Sequence, residues 1–407
     1  MQHIKHSMRT LCDDLRMLTG LTLAYGTADK SESVRYGRAQ EVTLADGQWV
    51  ACERPLTADS LYDLASLTKF FMSVMCMILV EHGMLRLDEY VGEIDPRFEH
   101  LRRVTVFDTL CYRVCLQTPG RIDDAPDREE GLRRLFAVRV APSPAVRIYS
   151  DINAMVIKYV IEAKTGLPLY DALRRFILSP AGMRETYAAV PTDCLPRCVC
   201  YNYEHRIAGE RYILRTQIAL GEANDPKAQL LSDGGRDLCG HAGLFSTCGD
   251  MTRFAQALLA GELISPASLA EIAADRTLRR NPDGTYRQPL DFLCFARHPE
   301  QRLSEVPAYM SDRALAISGF TGNHFALDPQ TGCFELLLGN RCHARVSHIV
   351  PPEGVTLAHY GLDERGAGLV PWPDGRKVPT SARYVYLKDA LLHEPAAARM
   401  RALGWLQ

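Results

Sequence analysis

Four consecutive residues, Ser66-Leu67-Thr68-Lys69, put a hydroxyl and an amine three positions apart just ahead of the apolar run Phe70 to Val80. On a helix of 3.6 residues per turn, positions i and i+3 share a face, so the lysine nitrogen can reach the serine oxygen. A serine hydroxyl is a weak nucleophile at neutral pH and needs a neighbour that accepts its proton during attack. A lysine can be that neighbour when burial disfavours its charged form and lowers its pKa. That is the expectation here, because the run after Lys69 is apolar on nearly every helix face. The same four residues also describe a helix-start serine followed by a solvated lysine, so the pair alone is a weak signal.

The helix carrying the pair has a natural stop at Gly83, after Glu81-His82. Before it, Leu21 to Tyr25 and Ser33 to Tyr36 have strand character, with turn signals at Gly26 and Asp46-Gly47, which predicts an antiparallel meander. Residues 70–190 are helical in pattern. The clearest case is Asp151 to Thr165, where Ile152, Met155, Val156, Tyr159, Val160 and Ala163 form one face and Gly166 ends it. A further helix is predicted over Asp250 to Leu259. Strand patterns return at Ala314 to Ser318, His324 to Leu327 and Cys333 to Leu338, and a helix near Tyr386 to Leu403 closes the chain. Val350 to Ser381, rich in Pro and Gly, reads as an irregular excursion. This order predicts an α+β protein: an antiparallel sheet lobe built from both chain ends (1–65 and 248–407), flanked by helices, with an inserted, mainly helical lobe (66–247). The cleft between lobes is the default place for a site.

Composition narrows the function classes. A formal net charge of −2 over 407 residues gives no broad attraction to nucleic acid or an anionic membrane. No apolar run reaches the length of a membrane span, and the N-terminal stretch through Met17 lacks the apolar core of a secretory signal. Thirteen cysteines, an odd number without regular spacing, fit reduced thiols better than a disulfide framework, so the expectation is a cytoplasmic protein. Cys194, Cys198, Cys200 and His205 offer ligand types suited to zinc, but not at a familiar zinc spacing.

Two further blocks give Ser66 and Lys69 a context: Tyr149-Ser150-Asp151-Ile152-Asn153 at a loop-to-helix junction, and Ser318-Gly319-Phe320-Thr321-Gly322 in a late strand. In this order the three blocks resemble the serine beta-lactamase and penicillin-binding-protein superfamily, in its class C-like branch of DD-peptidases, esterases and acyltransferases. Leu61 to Ala65, Gly182 to Thr186 and Gly240 to Thr247 add matches, so the resemblance covers most of the chain. It implies a beta-lactamase-like fold. It also implies Ser66 as the nucleophile of an acyl-enzyme, Lys69 as helper in removing its proton, and Tyr149 as the acid/base that serves the leaving group. A tyrosine fills that role only if nearby positive charge, here Lys69, lowers its pKa from about 10. The resemblance further assigns the Ser66 and Phe320 amides to an oxyanion hole, substrate alignment to Ser318, and close substrate approach to Gly319. No metal or organic cofactor is needed.

Departures from the family pattern bear on substrate. Ile317 stands where the third motif usually has Lys or His, so the cation that helps recognise a substrate carboxylate is missing there; Arg341 is a candidate replacement. Asp151 stands where many relatives carry Asn, and an ionised carboxylate only accepts hydrogen bonds. Leu110 to Cys115 replaces a His-Thr-Ser-Gly segment that lines the cleft in relatives. His241, in a Gly-rich turn, is either a structural turn residue or a contributor to the pocket. The expectation is a serine hydrolase acting on a small ester or amide, D-amino-acid peptides and beta-lactams included, with weak beta-lactam turnover. Its partners are then a small-molecule or peptide substrate, with no nucleic acid. The alternatives are a catalytically degenerate penicillin-binding or sensor protein, or an acyltransferase using the same residues.

Overall fold

The computed structural model describes residues 1–141, 149–274, 290–297 and 305–406. Its centre is an eight-stranded sheet in the spatial order Leu290–Asp291, Cys294–Ala296, Leu315–Ser318, His324–Asp328, Cys333–Gly339, Gly20–Thr27, Ser31–Ala45 and Gln48–Pro55. Every neighbouring pair in it is antiparallel. Early and late segments meet where Gly20–Thr27 pairs with Cys333–Gly339, in a register that sets Leu21 opposite Gly339 and Thr27 opposite Cys333. The sheet therefore needs both ends of the chain before it closes.

Side-chain alternation sorts the strands' apolar residues onto two faces. Leu21, Leu23, Tyr25 and Leu337 pack against the first helix, Gln2–Arg9, and the last, Glu394–Ala402, through Ile4, Met8, Ala396 and Met400. Leu336, Leu338 and Phe325 point the other way, into a larger core shared with Phe70, Phe71, Phe254 and Met155. That second core carries the helix Thr68–Glu81, buried from Thr68 through Leu79, and behind it Asp151–Thr165. The predicted bounds of Asp151 to Thr165 hold because Ser150 caps the first turn and Gly166 ends the helix at φ 68°. The Asp250 helix starts slightly earlier, at Cys248, with Thr247 as its cap.

The stretch after Val350 has more order than its composition suggests. It contains a short hairpin, Leu369–Pro371 with Lys377–Pro379, whose Val370, Trp372 and Val378 pack on Ile207 and Val346. Those two residues belong to a small separate sheet in which Val346–Val350 runs parallel to Glu204–Ala208. The excursion is a cover for that sheet.

The helix Thr68–Glu81 is seated by aromatic packing: the Phe71 and Phe254 rings stack with centroids 4.4 Å apart and planes 6° from parallel. Phe254→Ala leaves a cavity beneath this helix and is expected to destabilise the protein by about 3–5 kcal/mol, read as a lowered urea midpoint at unchanged slope.

Candidate active site

Ser66 sits in a 3-10 turn, Ala65–Leu67, that leads directly into the helix Thr68–Glu81. Ala65 holds φ +48°, a left-handed conformation that costs a non-glycine residue about 1 kcal/mol or more. Asp63 sustains it. One carboxylate oxygen accepts the Ala65 N–H at 2.8 Å, and the other accepts the Asn224 N–H at 2.7 Å. The Asp63 carbonyl takes Thr321 Oγ1 at 3.0 Å and Asn323 Nδ2 at 2.7 Å. One residue thus ties the turn before Ser66 to the 224 loop and to the end of the Leu315–Ser318 strand. Burial pushes its carboxyl up to about 6, against the pull of the two amide donors.

Lys69 is completely buried. Its Nζ donates to Ser66 Oγ at 2.8 Å and to the His241 carbonyl at 3.1 Å, and lies 2.8 Å from Asp151 Oδ1. It is also hydrogen-bonded to Tyr149. This corrects the expectation of a lysine with a lowered pKa. Burial does disfavour the ammonium, but the Asp151 carboxylate and Tyr149 outweigh it, and Lys69 lies above its ordinary value. Asp151 is held well below its ordinary range, because Lys69, His241 and Lys227 together overcome its desolvation. At rest the amine is a cation that donates to Ser66.

Asp151 has a second ammonium, Lys227 Nζ, at 3.1 Å from Oδ2. Lys227 also lies 3.3 Å from Asp225, which caps the helix Pro226–Leu231 and meets His241 Nε2 at 2.9 Å. His241 therefore serves from both ends, its carbonyl on Lys69 and its ring on Asp225. Gly240, at φ +82°, lets this turn abut the helix Asp151–Thr165: a Cβ there would lie 2.8 Å from the Ala154 carbonyl oxygen. Among the described residues, Asp151, Asp225 and His241 form the one group whose ligand atoms could converge on a metal ion. The two lysine ammoniums already sit on its carboxylates. Cys194, Cys198, Cys200 and His205 form no such group; the His205 ring packs edge-on against Trp372.

A cleft of about 420 Å³ is lined by Ser66, Tyr149, Asp151, Ser318, Gly319, Phe320 and Arg341 among others, so the three sequence blocks and Arg341 open onto one space. Tyr149 stacks on Phe295 at 5.4 Å, and its ring lies 5.4 Å from Lys69 Nζ. Gly319 meets a neighbour other than the one expected: a Cβ there would lie 2.9 Å from the Leu64 carbonyl oxygen, so the glycine lets the strand close onto the turn that carries Ser66. Ile317 is wholly buried. Arg341 and Arg206 each hold a guanidinium 4.9 Å from the Phe320 ring. Leu110, Cys111 and Tyr112 are buried behind the site rather than along its rim, with the Tyr112 ring 5.3 Å from Tyr149.

Sequence inspection did not single out Asp63, Arg206, Lys227, Glu305 or Lys388. For Lys227 a signal existed, since Asp225-Pro226 is a cap followed by a proline at the first helical position. Glu305 reaches the cleft from a loop and Lys388 meets it there from the terminal segment, buried behind the lining, and nothing local marks either.

A family model described as Beta-lactamase matches residues 33–359. A Salmonella typhimurium protein with the provisional name D-alanyl-D-alanine carboxypeptidase is 24% identical over 323 residues, covering 72% of each chain. Among solved structures, a penicillin-binding-protein homologue from Caulobacter crescentus aligns with TM-score 0.64 at 19% identity, covering 83% of this chain and 91% of its own. EstCE1, a hydrolase with promiscuous acyltransferase activity, aligns with TM-score 0.62 at 18% identity, covering 83% and 93%.

The Lys69–Asp151 pair makes a titration testable. Asp151→Asn removes the main cause that raises Lys69 and leaves burial in control, so the amine is expected to lose its proton below its ordinary 10.5, read by NMR of lysines labelled at Cε. Asp151 is depressed, so its stabilising effect is present above the unfolded value of 3.8 and fades as pH falls through the folded one. The variant is expected to lose that part of the acid dependence in a melting series below pH 4.

Proposed function

The chain belongs to the Beta-lactamase family, and from that premise we propose that it is a serine hydrolase that forms an acyl-enzyme on Ser66 with a small ester or amide. The observation that carries this reading is the hydrogen bond from the buried Lys69 to Ser66 Oγ at 2.8 Å, in a cleft shared with Tyr149 and the edge of the Ser318 strand.

Attack transfers the Ser66 proton away while the new oxygen–carbon bond forms. Lys69, charged at rest, holds Ser66 in place and sets a positive charge beside the Tyr149 phenol. That leaves Tyr149 as a proton relay, its phenol oxygen receiving the Ser66 proton while its own proton passes to the departing alcohol or amine. The Ser66 and Phe320 amides receive the oxyanion, and Ser318 and Gly319 align the acyl donor along the strand edge. Water then attacks the ester on Ser66 with Tyr149 in the reverse role.

Esters are the favoured class. Ile317 is buried and brings no charge to the cleft, whereas Arg341 is a cation among its lining residues, with its guanidinium 4.9 Å from the Phe320 ring. Penicillin-type compounds are then acylating agents with slow turnover.

Intact mass spectrometry after treatment with a fluorophosphonate is expected to show one adduct on the wild type and none on Ser66→Ala. Para-nitrophenyl ester cleavage is expected to exceed nitrocefin cleavage, and Tyr149→Phe to lower ester kcat/KM by about 10²–10⁴-fold. An unmodified Ser66 with every acyl donor refutes the assignment.

A further inference from the structure

Glu305 and Lys388 lie far apart in the chain, yet both end at the hydroxyl of Ser318, where the strand Leu315–Ser318 opens into the cleft. Glu305 Oε2 accepts the Ser318 hydroxyl at 2.7 Å and lies 3.2 Å from Lys388 Nζ, which also donates to Ser318 Oγ at 3.2 Å. The lysine is nearly buried, at 6% exposure, while the glutamate keeps 23% and lines the cleft.

Both groups are fixed from behind. The His324 ring meets the Glu305 carbonyl through Nε2 at 2.8 Å. The turn that delivers Lys388, Tyr384–Leu387, is anchored by Tyr384 Oη donating to the Gly322 carbonyl at 3.0 Å. Burial works against the charge on Glu305, but Lys388 and Ser318 outweigh it and hold the carboxyl below its ordinary value.

An ammonium and a hydroxyl converging on one point form a receptor for a carboxylate, since charge-assisted bonds from both donors can end on the same oxygen. Here that receptor is already filled by a carboxylate of the protein. An incoming carboxylate finds both donors taken and a like charge beside it. An uncharged group meets no such repulsion.

We propose that Glu305 is a built-in occupant of the anion position at Ser318 and makes the cleft select acyl donors that are uncharged there, against carboxylate-bearing ones. The proposal rests on the acyl-enzyme reading in that it places the substrate along Ser318. It also explains how a cation can return near the third motif, through Lys388, without restoring recognition of a substrate carboxylate.

The test uses two phenylacetyl esters that differ only in the leaving group, 3-hydroxybenzamide or 3-hydroxybenzoate. The wild type is expected to prefer the amide-bearing ester. In Glu305→Gln, and in Glu305→Ala as a second variant, the ratio of kcat/KM for the carboxylate ester to that for the amide ester is expected to rise about tenfold or more. Adding Lys388→Met should abolish the rise. Binding is read separately by calorimetry in a Ser66→Ala background, where the carboxylate ester should bind more tightly once Glu305 is changed. Cooperatively melting Glu305 variants with no gain in either measurement overturn the proposal. A gain in binding with no turnover by any variant supports it while refuting the acyl-enzyme reading.

Discussion

The site depends on one ammonium being held where no water reaches it. An isolated Lys69 at that depth would shed its proton or draw the core open, since desolvating a charge costs several kcal/mol even after relaxation. The Asp151 carboxylate 2.8 Å away removes that cost, and the requirement propagates outward. Asp151 is the first residue of its helix, so the helix has to begin where Ser150 caps it, and Asp151 in turn needs Lys227 on its other oxygen. Lys227 is placed by the short helix that Asp225 caps, and Asp225 by the ring of His241. The carbonyl of that same histidine returns to Lys69. Each partner is fixed by the next, and the loop of contacts closes on the lysine that holds Ser66.

Asp63 does for the backbone what Asp151 does for charge. The residue before Ser66 stands in a left-handed conformation, and the chain relaxes out of it unless something holds the Ala65 amide. Because the same carboxyl also holds Asn224 and the same residue's carbonyl holds Thr321 and Asn323, the strained turn is held only when two distant segments have arrived. Assembly of the site and closure of the core are therefore one cooperative event.

Where chemistry is local, the sequence displays it. Ser66 and Lys69 are one turn apart, Asp151 to Thr165 carries its own cap, stripe and terminating glycine, and the late strand Cys333–Gly339 is a short apolar run buried at every position. Where the decisive partner is remote, the sequence is silent. Burial of Lys69 was legible from the apolar run behind it, but the sign of its pKa shift was not, because Asp151 lies 82 positions on and only the fold makes it a neighbour. The same holds for Lys388, which meets Ser318 across 70 positions. The cation missing at Ile317 was read correctly as missing from the strand; that an ammonium arrives from the end of the chain, already bound to Glu305, depends on tertiary structure alone.

Two carboxylates that reach the cleft, Asp151 and Glu305, then share one electrostatic logic. Asp151 in place of an amide adds a carboxylate on one side of Ser66, and Lys227 accompanies it at 3.1 Å. Glu305 adds another at the strand edge, and Lys388 accompanies it at 3.2 Å. The formal charge of the cleft is left nearly unchanged, yet each lysine is committed to a partner inside the protein. Fixed internal pairs reorganise less than water when charge develops on a reacting oxygen, and that favours the transition state. Their donors are also withheld from any anion on the incoming molecule. Among the described residues lining the cleft, Arg341 is a cation with no carboxylate in ion-pair contact, and its guanidinium donates to the Ser347 carbonyl. The polarity that a substrate meets is thus set by which cations the protein has already neutralised, rather than by how many it contains.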